Sequence, residues 1–185
     1  MKTQEVSPVS GLSEILSIPL PPLKVRRFVL ASGVPDSHAI LQHLDYFKQV
    51  YLRHGVVRLA TVKVLDGLDN NDVDGQIERI FEFVKEHMIY VRDPIASEYV
   101  ISPVRHLRSI AQYGTTRGDC DDHALLLNSM LGSIGIKTKF VGVKLKSNRF
   151  NHVISSVLTK SNGWVDLDPC AKSVPQRNYQ DRLVI

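Results

Sequence analysis

The sequence predicts an α+β domain, with helices packed on a small antiparallel sheet. Two observations carry that expectation. Apolar residues recur at helical spacing as far as Gly135 and at period two beyond it. A run of helices followed by a run of strands builds α+β layers rather than an alternating parallel sheet. The composition agrees: 43% hydrophobic and 23% charged residues among 185 are enough for a packed core.

Residues 1–23 are rich in Ser and Pro and close on Pro19, Pro21 and Pro22, which reads as an extended arm. The stretch KVRRFVLAS (24–32) is β-branched and aromatic, and reads as a short strand. Ile40, Leu41, Leu44, Phe47 and Tyr51 then mark a helix, with Asp36 or Ser37 as N-cap and Gly55 as stop. VVRLATVKVL (56–65) reads as a second helix and DGLDNNDVDG (66–75) as a polar loop. That loop lacks the acidic twelfth residue of a calcium-binding EF-hand loop. QIERIFEFVKEHMIYV (76–91) is an amphipathic helix, with Ile77, Ile80, Phe81, Val84 and Met88 on one face.

A loop bounded by Pro94 and Pro103 leads to a short helix, VRHLRSIAQYG. CDDHALLLNSMLGSIG is a largely apolar helix that Gly132 or Gly135 closes. KTKFVGVKL, NHVISSVLT and GWVDLDP read as three strands joined by short polar turns. We expect a 24–76 subregion of strand and helices and a core spanning 77–185.

Charge and cysteine usage exclude several classes. The net charge is +4 and the pI about 9.1, but no dense Lys/Arg run concentrates it. The chain therefore does not point to nucleic acid. No apolar run approaches the roughly 20 residues of a membrane span. The first residues lack a basic start followed by an uninterrupted apolar stretch, so no signal peptide is expected. Two cysteines make no disulfide framework and no CxxC zinc pair. No cofactor or metal is expected.

Chemistry concentrates in three places. Cys120 opens the apolar helix, His152 follows 32 residues later at a strand start, and Asp168 follows 16 further on at a strand end. A helix packed on neighbouring strands can bring these together as nucleophile, base and orienting acid. His123, three residues after Cys120, is a rival base, and Asp166 a rival acid. Cys170 reads as structural, with a disulfide to Cys120 as the other option.

The setting of Cys120 among Asp119, Asp121 and Asp122 is electrostatically adverse. A helix N-terminus favours an anion by about 0.3–1 kcal/mol. A carboxylate at about 7 Å opposes it by up to roughly 2 kcal/mol at an effective dielectric near 20. An imidazolium at about 4 Å contributes up to about 4 kcal/mol on the same scale. Activation of Cys120 therefore requires His152 nearby and the acids turned to other work. Capping the helix is their expected role, with Asp122 also a candidate substrate contact.

Gly118 and Cys120, then His152, then Gly163, Trp164, Asp168 and Pro169 form ordered motifs that resemble the transglutaminase-like superfamily. Tyr90, Asp93 and Pro94, followed by Glu98 and the GDCDD motif, resemble its phage- and prophage-associated branch. The resemblance covers roughly residues 77–170. It implies a papain-like Cys-His-Asp core and a thioester intermediate on a protein or peptide substrate. Water as acceptor makes a peptidase, amidase or deamidase, and an amine makes a transglutaminase; hydrolysis is favoured. The resemblance names Asp168 as the acid and implies an oxyanion donor upstream of the cysteine, for which Tyr99 and Gln112 are candidates. Trp164 is a candidate substrate platform. The family often has an aromatic just after the histidine, as in His-Ala-Trp; here the residue after His152 is Val153. The branch implies a cytoplasmic location in a host bacterium or association with a virion. An alternative is a catalytically weak fold serving as a component of a phage particle or tail, docked through residues 1–23.

Overall fold

The computed structural model describes residues 9, 11–19, 37–94, 99–145, 150–171 and 182–185. Helix α1 (Ser37–Tyr51) buries Leu41 and Leu44. Helix α2 (Gly55–Val64) buries Val56, Val57, Ala60 and Thr61, and His54 caps it by accepting from the Val56 N–H at 3.2 Å. Gly55 thus begins α2 instead of ending α1, because the chain already turns at Leu52 and Arg53. Helix α3 (Val73–His87) is capped by Asp72, whose carboxylate accepts from the Gly75 N–H at 3.0 Å. The expected boundary at 76/77 falls inside this helix.

Helix α3 ends four residues sooner than its periodicity predicts. Met88–Tyr90 is a strand, β1, paired in parallel with β2 (Thr116–Gly118). Met88 keeps its place in the core as a strand residue, 5% exposed. Between the two strands lies α4 (Pro103–Tyr113), with Ser102 as N-cap, Pro103 at its start and Gly114 as a left-handed C-cap at φ 77°. Proline there loses no helical hydrogen bond, and glycine accepts the positive φ without strain.

Helix α5 (Cys120–Ser133) is the axis of the molecule. Its apolar residues lie on every face, the pattern of a helix surrounded by protein. One side packs with α2, α3 and α4 in a cluster that includes Val57, Ile80, Leu107, Leu126 and Met130. The other side places Ala124 and Leu125 with Leu41, Leu44 and Phe140. Gly135, at φ 88°, follows the helix, whereas Gly132 lies within it, where an added Cβ would stand 3.3 Å from Leu52.

The sheet is antiparallel, in the order β5-β4-β3-β6. It comprises β3 (Thr138–Val143), β4 (His152–Thr159), β5 (Gly163–Leu167) and β6 (Arg182–Val184). The first three match the expected strands. The fourth is too short to announce itself by alternation.

The largest departure concerns the expected arm. Residues Ser13–Ser17 form a 3-10 turn, and Leu12 and Ile15 lie in the same core as α2 and α4, 1% and 0% exposed. Arg108 anchors the segment, donating to the backbone oxygens of Ile18 and Leu16 at 2.6 and 3.1 Å. Leu12 and Ile15 therefore belong to the core. The strand expected at 24–32 lies outside the described residues.

Candidate active site

The parallel β1–β2 pair delivers the chain to the start of α5. Tyr90 stands opposite Gly118, and the Val91 N–H donates to the Gly118 carbonyl at 2.9 Å. Glycine is required there, since an added Cβ would lie 2.6 Å from the Asp122 Cβ. Asp119 then caps α5, accepting from the Asp121 N–H at 3.2 Å.

Asp122 is corrected from substrate contact to interior residue. It is 1% exposed. Its Oδ1 accepts from the Ile101 N–H at 2.7 Å and lies 3.5 Å from Nε2 of buried His106. His106 in turn contacts the Thr116 hydroxyl at 3.0 Å through Nδ1. This buried chain ties the loop before α4 to the helix that carries the cysteine. One oxygen each from Asp119, Asp121 and Asp122 lie within 4.8 Å of one another, the one group among the described residues that could hold a cation.

The sheet brings the second half of the site. His152 opens β4 and is 8% exposed. Its Nε2 lies 2.9 Å from Asp168 Oδ2. A carboxylate only accepts, so Nε2 carries the proton and Nδ1 is the basic nitrogen. Asp168 is further held by the Cys170 N–H, which donates to Oδ1 at 3.0 Å. Asp166, the rival acid, is taken by Arg182 at 2.7 Å. His123, the rival base, is 1% exposed, with its ring nitrogens against the Asp119 and Met88 carbonyl oxygens at 2.6 and 3.4 Å.

Cys120 is half-buried. Its sulfur accepts from the backbone N–H of Val153, the residue after His152, which sets helix start and strand start side by side. Burial pushes the thiol up to about 12, and the Asp119 and Asp121 charges add to the rise against the Val153 N–H. Cys170 is also half-buried and a free thiol. Burial, then Asp168 and Cys120, push it upward.

The remaining candidates scatter. Tyr99 is 58% exposed and its backbone N–H donates to Asp93. Gln112 is exposed in the last turn of α4. Trp164 lies near the start of β5 with Lys139 Nζ 4.3 Å over its ring. Asp168 just follows that strand's end, about 13 Å further at ordinary strand rise. Trp164 therefore covers the sheet rather than the cysteine. Tyr90 entered the sequence reading only as a motif residue, not as a residue beside the start of α5. Its hydroxyl senses Cys120 and Cys170, and burial is the main cause of its raised pKa.

Residues 61–169 match the family model of the transglutaminase-like superfamily. Among solved structures, a candidate protease from Parabacteroides distasonis ATCC 8503 is similar at TM-score 0.56 and 17% identity, over 78% of this chain. The chain spans 27% of the length of that protein. LapG of Legionella pneumophila is similar at TM-score 0.47 and 22% identity, over 70% of this chain and 74% of its own. No curated protein matches. Among the described residues, no helix is long and apolar enough to cross a membrane.

Proposed function

Because this chain belongs to the transglutaminase-like superfamily, we propose that it is a cysteine-nucleophile enzyme that transfers acyl groups from amides. One observation carries the reading. His152, held by Asp168 at 2.9 Å, opens the strand whose next N–H donates to the Cys120 sulfur.

Each group then has a role. Cys120 rests as a thiol, so a base must take its proton as the sulfur attacks the carbonyl carbon. His152 Nδ1 is that base, and it returns the proton to the departing amine. Asp168 keeps the imidazole in the required tautomer and stabilises its charged form. The Cys120 N–H, first in α5 and without a helical partner, donates to the oxyanion. The thioester is then opened by water, which makes the enzyme a peptidase, amidase or deamidase; an amine acceptor would make it a transglutaminase.

Casein incubated with the protein and dansylcadaverine in water enriched in oxygen-18 separates these acceptors. Heavy oxygen at new carboxyl groups, absent with Cys120→Ala, is the expected result, and dansyl incorporation instead would assign the amine. If casein gains neither label in a Cys120-dependent way, the reading falls. Association with a phage particle rests on Tyr90, Asp93, Pro94 and Glu98, the last of which lies outside the described residues.

A further inference from the structure

We propose that the connection between β1 and α4 is the substrate-recognition wall of the site, where Val91, Tyr99 and Val100 receive an apolar side chain that flanks the reacting amide; the proposal rests on the acyl-transfer reading above. The two limbs of this connection, 91–94 and 99–101, are fastened on either side of the nucleophile in sequence. At one foot the Val91 N–H donates to the Gly118 carbonyl at 2.9 Å, two residues before Cys120. At the other the Ile101 N–H donates to Asp122 Oδ1 at 2.7 Å, two residues after it. Gly118 and Asp122 lie against each other, since a Cβ added to Gly118 would stand 2.6 Å from that of Asp122. The two feet therefore stand side by side at the first turn of α5. Further out, the Tyr99 N–H donates to the Asp93 carboxylate and joins the limbs.

The inner anchor is built to hold. Asp122 is 1% exposed, and His106 Nε2 lies 3.5 Å from the same oxygen that accepts from Ile101. A hydrogen bond to a carboxylate is roughly twice as strong as one between neutral groups, and shielding from water strengthens it further. A wall fixed before the substrate arrives needs little ordering on binding, so its contacts can discriminate between substrates.

The wall is apolar where water reaches it. Eleven large apolar side chains are exposed among the described residues, and five of them, Ile89, Tyr90, Val91, Tyr99 and Val100, fall within 89–100. Single apolar residues on a surface mean little, whereas a concentration of them marks a contact surface. Tyr90 is turned toward the ring of His123 at 6.2 Å, which leaves Val91, Tyr99 and Val100 on the limbs themselves. The occupant is the substrate, because the surface is continuous with the residues that flank Cys120. Any other partner seated there would bar a polypeptide from the thiol.

The test maps where the enzyme acts. Casein peptides are incubated with the protein and dansylcadaverine in water enriched in oxygen-18. Labelled positions that depend on Cys120 are located by tandem mass spectrometry, for the wild type and for the double variant Tyr99→Ser, Val100→Ser. Both side chains are exposed, so the variant should fold. One apolar contact separates competing substrates by roughly 10–200-fold, so wild type should label amides next to a large apolar residue at least about tenfold more than the rest. The variant should lose most of that preference, while iodoacetamide alkylates its Cys120 at the wild-type rate. A wild type without apolar preference overturns the proposal, and so does a variant that keeps the preference. If such a variant differs from wild type only in its mass by light scattering, the surface belongs to a second copy instead. An equal fall at every position, with slower alkylation, marks a structural role and overturns the proposal as well. No Cys120-dependent label in the wild type overturns the parent reading, and this one with it.

Discussion

Asp168 Oδ2 stands 2.9 Å from Nε2 of His152, while Asp166, two residues earlier, is bound to Arg182. The two carboxylates, alike in sequence, have unlike duties. Asp168→Asn replaces an acceptor by a group that can present a donor to Nε2 and so disturbs the tautomer. Turnover should fall on the order of 10²–10⁴-fold. Asp166→Asn should leave turnover within about twofold, since it breaks only a partly exposed ion pair. The reverse ranking in steady-state assays would move the orienting role to Asp166.

The charge of Asp119 opposes ionisation of Cys120, second only to burial. The wild-type thiol, pushed up to about 12, should alkylate more slowly at pH 7 than a free thiol of pKa about 8.5. The rate should still be climbing at pH 9, because a raised pKa leaves little thiolate below it. Asparagine caps a helix as well as aspartate. Asp119→Asn therefore removes charge and keeps the cap, and iodoacetamide should label it several-fold faster at pH 7. Unchanged labelling would show that the charge does not reach the sulfur.

Gly118 lets β2 run against the first turn of α5, where a Cβ would stand 2.6 Å from that of Asp122. Relief requires backbone or buried side chains to shift. Gly118→Ala should destabilise the protein by about 1–3 kcal/mol, the range of overpacked sites. A urea midpoint equal to wild type would mean that β2 and α5 separate freely.

Leu12 and Ile15 are core residues reached from a segment that looks like a tail. Truncating either to alanine should lower stability by about 2–5 kcal/mol, a large share of the roughly 5–15 kcal/mol available to a domain. Thermal melts of Leu12→Ala and Ile15→Ala that match wild type would restore the picture of a free arm.

Much of the site was legible because its motifs are local. Cys120 heads a helix whose apolar residues leave no polar face, and His152 and Asp168 mark a strand start and a strand end. Asp122 was misread because its neighbours in sequence are acids, whereas its neighbours in space are the Ile101 N–H and His106. Tyr90 was hidden for a related reason. The apolar period of α3 runs on through Met88, and nothing local reveals a three-residue parallel strand whose partner begins 28 residues later.

The sequence by itself determined the α+β order, the apolar helix that starts at Cys120, and the ordered Cys, His and Asp positions. Hydrophobic period and capping chemistry are properties of short windows, so they can be read without coordinates. Tertiary structure alone decided that Asp122 turns to the Ile101 N–H and His106, that Leu12 and Ile15 enter the core, and that Tyr90 stands opposite Gly118. Those outcomes depend on pairings between distant segments, where register and packing select one neighbour among several residues of the same type.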